Sequence, residues 1–291
     1  MSAKKGRSIM DFKDKTVVVT GAASGIGREI ALAFGRRGSQ IAAADINEEG
    51  LHRLASELEG LGCRVYTQLV DVSMPGQVGD FCENVYFEMG RVDILCNNAG
   101  VGMAGYLKDI SLDDWNWIIG INLMGVIYGC HFFYPRMVEQ GGGGHIVNIA
   151  SAAGLIPAGG SVAYSTTKFG VVGFSETLRA EADLYDIGVS VICPGFVMTG
   201  IYAGGRHKSL PEGETTESLV EKVEKVLNRR RSTAATVAKA VVKAIEKNRM
   251  VVPVCPEAHI ADFMHRASRG LFDKAVIRFT RAGQNAQLKK S

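Results

Sequence analysis

The stretch Thr16-Val17-Val18-Val19-Thr20-Gly21-Ala22-Ala23-Ser24-Gly25-Ile26-Gly27-Arg28 decides the fold. Its first five residues are a β-branched run of strand length, and glycines follow at once. A stretch of helical period then runs to Arg37. Glycine lets the backbone turn sharply and approach another group closely, and the N-terminus of the following helix offers unpaired N–H groups and a positive dipole end. Strand, glycine turn and helix in this order form a cradle for a pyrophosphate. The spacing is G-x-x-x-G-x-G, not the general G-x-G-x-x-G.

Working outward, the same rhythm repeats. Apolar runs at Gln40–Asp45, Arg64–Val70, Val92–Cys96, His145–Ala150, Val189–Cys193 and Met250–Val254 alternate with helical segments. The helical segments include a long one through about Val138, one from Val162 to Asp186 and one at Thr233–Lys247. The apolar runs are continuous, not alternating, so both faces of the sheet are covered; that predicts a parallel sheet between two helix layers. Regular βα alternation predicts a doubly wound α/β architecture. Two segments break the rhythm: the loop Gly141–Gly144, and a polar insertion at Gly195–Arg231 of the length that commonly covers a site.

Bulk properties exclude other classes. The chain has 291 residues, 46% hydrophobic and 22% charged, enough for a buried core and too apolar for disorder. No stretch of 18 residues is free of both charge and polarity, so no spanning helix is expected. The opening MSAKKGRSIMDFKDK lacks the apolar region of a secretory signal. The cysteines and histidines are scattered without metal-ligand spacing, so no metal site is expected, and the thiols read as buried ones of a reducing, cytoplasmic compartment. The net charge of +3 divides into +3 over residues 1–15, −4 over 16–256 and +4 over 257–291. The expected organisation is a basic extension (1–11), one domain (12–256) and a basic amphipathic extension (257–291). That last segment suits contact with a neighbouring subunit or cover over a site; an anionic membrane surface is the less common outcome for such a helix. So small a net charge argues against a nucleic-acid partner.

The second strand ends in Ala43-Ala44-Asp45, about twenty residues after the glycine turn. A carboxylate there accepts both hydroxyls of an adenosine ribose and repels a 2′-phosphate. No Lys or Arg follows at Ile46-Asn47, so NAD is expected over NADP. Asp45 as a helix cap is compatible with the same position. Asp71-Val72 and Asn97-Asn98-Ala99-Gly100 end the next two strands, where loops line the ligand crevice of an open parallel sheet.

Tyr164-Ser165-Thr166-Thr167-Lys168 puts a phenol and an ammonium on one helical face. A cation one turn away favours the phenolate and makes the phenol fit for proton transfer near neutral pH. Taken alone, the pair also fits an ordinary exposed helix face. Ser151, at the end of the fifth strand, offers a hydroxyl to the same substrate oxygen.

TGxxxGIG, Asp45, NNAG, Asn122, Ser151, YxxxK and Pro194-Gly195 with Thr199 occur in one order. In this combination the chain resembles the short-chain dehydrogenase/reductase family, in its compact single-domain branch, over about residues 12–254. The resemblance implies a Rossmann-like sandwich whose seven parallel strands run in the order 3-2-1-4-5-6-7, and an NAD-dependent oxidoreductase interconverting a secondary alcohol and a ketone. It implies Tyr164 as general acid/base, Lys168 as the partner that lowers its pKa and holds the nicotinamide ribose, Ser151 at the substrate oxygen, and Asn122 holding a relay water. It assigns cofactor contacts to Gly21, Ser24, Gly25, Ile26 and Gly27 in the turn, to Asp45 and Ile46, to Asp71 and Val72, and to Asn98, Ala99 and Gly100. On the nicotinamide side it assigns them to Tyr164, Lys168, Pro194, Gly195, Val197 and Thr199. It also implies a homodimer or homotetramer built on the long helices ending near Val138 and Asp186. Candidate substrate walls, among them Met103, Leu155, Pro157, Phe196, Val197 and Met198, are apolar, which points to a hydrophobic small-molecule alcohol or ketone. A sensor that only binds NAD(H), or a membrane-associated scaffold of the same fold, stands as the alternative.

Overall fold

The computed structural model describes residues 11–197, 201, 204–209, 215, 218, 221 and 232–288. Seven parallel strands form one sheet: β1 (Thr16–Thr20), β2 (Gln40–Asp45), β3 (Val65–Leu69), β4 (Ile94–Asn97), β5 (Gly144–Ile149), β6 (Ile187–Pro194) and β7 (Val251–Val254). Their spatial order is β3-β2-β1-β4-β5-β6-β7, the doubly wound order expected.

The continuous apolar strands have the predicted cause. Val17 and Val19 face one helix layer, with α1 (Gly25–Gly35), α2 (Glu48–Gly60) and α7 (Ala234–Glu246). Val18 faces the other, with α3 (Pro75–Met89), α5 (Gly125–Gln140) and α6 (Val162–Ala182). All three valines are fully buried, each stabilising the fold by roughly 2 kcal/mol. Strand β3, at the sheet edge, is only partly covered.

The helix ends follow local chemistry. Asn47, in extended backbone, caps α2 by accepting from Gly50 N at 2.9 Å. Asp45 therefore does not cap that helix. Pro75 opens α3, and Gly90, at φ 77°, closes it. Ser111 and Asp114 form a reciprocal capping box on α4 (Leu112–Ile119).

The long helix expected in this region is not uniform. Helix α4 passes into a π turn, Gly120–Met124, before α5 continues to Gln140. The whole run, Leu112–Gln140, is long and apolar enough to cross a membrane. Here it lies on the sheet: a Cβ on Gly129 would sit 2.1 Å from Asn97 Oδ1, and one on Gly125 would sit 2.8 Å from Val72. Its apolar composition serves that close packing. Beyond β7, α8 (Pro256–Ala267) and α9 (Arg269–Leu288) form the C-terminal extension.

Candidate active site

Because the strand order reverses beside β1, the carboxyl ends of β1 and β4 open a crevice between them. Its walls are tied by side chains. Asn98 N donates to Thr20 Oγ1 at 3.0 Å, Asn98 Nδ2 donates to the Thr20 and Gly21 carbonyls, and Ala99 N donates to Thr20 Oγ1. Gly21 has φ +64°, and a Cβ there would lie 2.7 Å from Ala99 Cα. A Cβ on Gly27 would lie 2.0 Å from the Gly21 carbonyl oxygen. Both glycines are demanded by close backbone approach.

The first backbone bond of α1 runs from Arg28 N to Ser24 O. The N–H groups of Ile26 and Gly27 therefore point out of the helix end, Ser24 makes no side-chain cap bond, and the first turn holds no acidic residue. An anion fits that end. Asp45 stands next to it: its Oδ2 accepts from Ala23 N at 2.9 Å and its Oδ1 from Asn47 N at 3.0 Å. Ile46, beside it, is exposed. Asp71 holds its own turn by accepting from Ser73 N and Oγ, while Val72 is turned inward against Gly125. The residues present fit a dinucleotide: a cradle for the phosphates and a carboxylate at the ribose end.

On the other side of β4 the chemistry-bearing residues converge. Tyr164 and Lys168 lie one turn apart at the start of α6. Lys168 is almost fully buried, its Nζ donates to Ile149 O at 3.1 Å and sits 5.7 Å from the centre of the Tyr164 ring. Burial brings its pKa down to about 8. Ser151 caps the short 3-10 turn Ala152–Gly154, accepting from Ala153 N. A Cβ on Gly154 would meet the Lys168 carbonyl oxygen at 2.5 Å, so this turn rests directly on α6.

Asn122 sits in the π turn with its side chain committed to the main chain of Val101: Oδ1 accepts from Val101 N at 2.8 Å and Nδ2 donates to Val101 O at 2.9 Å. A Cβ on Gly100 would be 3.2 Å from Asn122 Oδ1 and 3.5 Å from Lys168 Nζ. Asn122, Gly100 and Lys168 therefore meet at one point.

Pro194 ends β6, and Gly195 N donates to Val254 O. Val197 is buried in the core cluster of the α1/α7 layer and Met103 packs on Ile118 and Ala163, so neither side chain is a free substrate wall. Phe196 is exposed and Leu155 is half-buried. Thr199 and Met198 lie outside the described residues, as does most of the 195–231 insertion.

Some neighbours of the site carry no motif. A buried chain runs from Asn97 Nδ2 to Asn148 Oδ1 and from Asn148 Nδ2 to Ser175 Oγ, fixing β4, β5 and α6 beneath the site. Glu257, at the start of α8, accepts from Phe196 N at 3.2 Å. Thr280 of α9 approaches the loop at Gly159, between Ser151 and Tyr164. The only sequence signal for these last two was the length and helical period of the extension.

A family model described as short chain dehydrogenase matches residues 15–209. The chain is 40% identical over 260 residues to "Probable oxidoreductase EphD" of Mycobacterium tuberculosis, covering 89% of this chain and 44% of that protein. The chain thus spans less than half the length of that relative. It is 40% identical over 212 residues to D-threitol dehydrogenase of Mycolicibacterium smegmatis, covering 72% of this chain and 80% of that one. Among solved structures, a short chain dehydrogenase/reductase from Burkholderia phymatum in complex with NAD superposes with a TM-score of 0.82 at 31% identity, covering 90% of this chain and 96% of that one. Crevice, glycine turn and Tyr–Lys helix define a dinucleotide-dependent oxidoreductase fold. This chain belongs to the short-chain dehydrogenase/reductase family, whose members use NAD(P).

Proposed function

We propose that this protein is an NAD-dependent oxidoreductase that interconverts a secondary alcohol and a ketone on a hydrophobic small molecule. The observation that carries the reading is the buried Lys168 ammonium beside the Tyr164 ring, in contact range of the Asn97–Gly100 loop. In the oxidation direction, Tyr164 takes the proton of the substrate hydroxyl. Lys168, held by Ile149 O, stabilises the Tyr164 phenolate that exists before this transfer, and accepting the proton leaves Tyr164 a neutral phenol. Ser151 donates a hydrogen bond to the same oxygen. Asn122, its side chain committed to Val101, fixes the loop after Gly100 against Lys168 and keeps a relay water there. Bound NAD supplies the hydride acceptor; the protein supplies orientation and proton management. Gly21, Ser24, Gly25, Ile26 and Gly27 hold the pyrophosphate, Asp45 the ribose, and Thr199 the carboxamide.

Phe196 and Leu155 support an apolar substrate, and D-threitol dehydrogenase supports alcohol chemistry as such. The protein is further taken to be one catalytic domain (12–256) with a C-terminal extension, working as a homo-oligomer in a reducing, cytoplasmic compartment. Six cysteines free of disulfides support the last point. The test is an NAD-linked absorbance screen of secondary alcohols and ketones, with polyols and hydroxy acids in the panel and NADP as the control. Turnover confined to polyols or charged hydroxy acids overturns the hydrophobic substrate. Full activity of Tyr164→Phe overturns the chemistry.

A further inference from the structure

The strip Gly204–Ser209, within the insertion after β6, lies along Val101–Tyr106, the segment that follows the Asn97–Gly100 loop. Arg206 and His207 pair in parallel with Met103 and Ala104. Arg206 N donates to Gly102 O at 3.1 Å, Lys208 N to Ala104 O at 2.7 Å, and Tyr106 N to Ser209 Oγ at 3.1 Å. The inner segment in turn reaches the catalytic helix: Gly105 N donates to Gly160 O at 2.7 Å, and Gly105 bridges Ser161, which precedes α6. Two residues of parallel pairing are far too few to hold a strip in place alone.

A buried carboxylate holds it. Asp114, in the first turn of α4, has only 3% of its side chain exposed. Its Oδ1 receives Arg206 at 2.8 Å and its Oδ2 receives Lys208 Nζ at 3.1 Å. The Arg206 guanidinium also lies over the Trp117 ring, 4.2 Å from its centre. With Arg206, then Ser111 and Lys208, donating to it, the Asp114 carboxyl is held well below the usual carboxylate range. One helix thus carries the anion and the ring, and the strip carries both cations.

We propose that Asp114 with Arg206 and Lys208 is an ionic latch that pins the Gly204–Ser209 strip against Val101–Tyr106, making Asp114 and Arg206 positioning residues for the substrate. None of the three carries a role in the cofactor crevice. The latch rests on the proposed function only in its kinetic arm.

The experiment compares Asp114→Asn, Arg206→Met and Ser111→Ala with the wild type in the full chain. Two quantities are read: amide hydrogen exchange over residues 204–209, and KM for substrate against KM for NAD. Loss of a charge-assisted pair should speed exchange and raise substrate KM by about tenfold in the first two variants. KM for NAD stays within about twofold, because the crevice between β1 and β4 is built from other residues. Ser111→Ala removes the helix cap but neither cation, so it lowers Tm and leaves exchange of the strip and substrate KM as they were. Unchanged exchange in Asp114→Asn and Arg206→Met overturns the latch. So does an equal rise of both KM values, or a Ser111→Ala effect on substrate KM as large as that of Asp114→Asn. A wild type that turns over no alcohol or ketone defeats the proposed function, while the exchange measurement still decides the latch.

Discussion

The two sides of the crevice are built by different means. On the β1–β2 side, the groups that shape it come from Thr20–Gly27 and Asp45, one βαβ unit, in close backbone approach at Gly21 and Gly27 and with Ala23 N bonded to the Asp45 carboxylate. On the β5–β7 side they come from Ser151, Tyr164, Phe196, Arg206, Glu257 and Thr280, carried by separate segments and joined through side chains. On the proposed function the first side binds a chemical unit that never changes, so close backbone fit is rewarded. The second would then meet the variable partner, and side-chain contacts between distant segments can be exchanged without disturbing the sheet.

Several measurements would break or sharpen that contrast, starting with the largest effect. Tyr164→Phe removes the proposed proton-transfer group and should lower kcat by about 10³-fold with KM for NAD little changed, read by steady-state kinetics. A loss shared equally by NAD affinity would mean that the two sides are not separable.

The next effect concerns Lys168, whose proton is held less firmly in the fold than in the unfolded chain, at about 8 against 10.5. Between those values the unfolded state binds more protons, so this group's contribution to stability rises with pH. The penalty for burying the cation is fully present below pH 8 and is relieved towards pH 10.5. Cys193 works the other way, since burial pushes its thiol up to about 12, so the wild type alone gives a mixed answer. Urea unfolding of cofactor-free wild type and Lys168→Met at pH 7 and pH 10 separates them: the wild type should gain on the order of 3 kcal/mol relative to the variant. A pH-independent difference would show that Lys168 is not desolvated as described.

Gly27→Ala tests the fit on the β1–β2 side. A methyl 2.0 Å from the Gly21 oxygen forces backbone to move, with an expected loss of about 2 kcal/mol in stability and a sharp rise in KM for NAD. Substrate KM, extrapolated to saturating NAD, should hardly change. The smallest effect is expected from Asp45→Ala, which removes the repulsion of a 2′-phosphate. The NAD-over-NADP ratio of kcat/KM should fall by about tenfold. A wild type that prefers NADP would undo the reading of Asp45 altogether.

Much of the nucleotide side was legible because its parts sit at fixed offsets along the chain. The glycine turn, Asp45 and the Asn97–Gly100 loop each follow a strand, and the alternating βα pattern puts all strand ends on one edge. Strand ends were read to within a residue or two, since a continuous apolar run blurs into its flanks. The Tyr164–Lys168 pair was legible for the same local reason, an i, i+4 spacing on one helix. What the spacing did not reveal was the state of Lys168: its burial comes from Gly154 and Gly100 approaching from other segments. The inward turn of Val197 and Met103 was equally invisible, because an apolar residue after a strand reads alike as a wall or as core. Asn122 was expected in a helix; it lies in a π turn, from which its side chain supplies both main-chain partners of Val101.

The sequence by itself determined the parallel doubly wound sheet, the glycine turn at the crevice and the pairing of Tyr164 with Lys168 on one helical face, because each depends on periodicity or on residues a few positions apart. Only the tertiary structure decided what surrounds them: that Asn97, Asn148 and Ser175 join beneath the site, that Glu257 and Thr280 of the extension reach its rim, and that Asp114 grips Arg206 and Lys208. The physical reason is range. Backbone propensity and helix-face geometry act over a few residues, whereas a buried carboxylate finds its cations, and a lysine loses its water, only when remote segments have already been packed together.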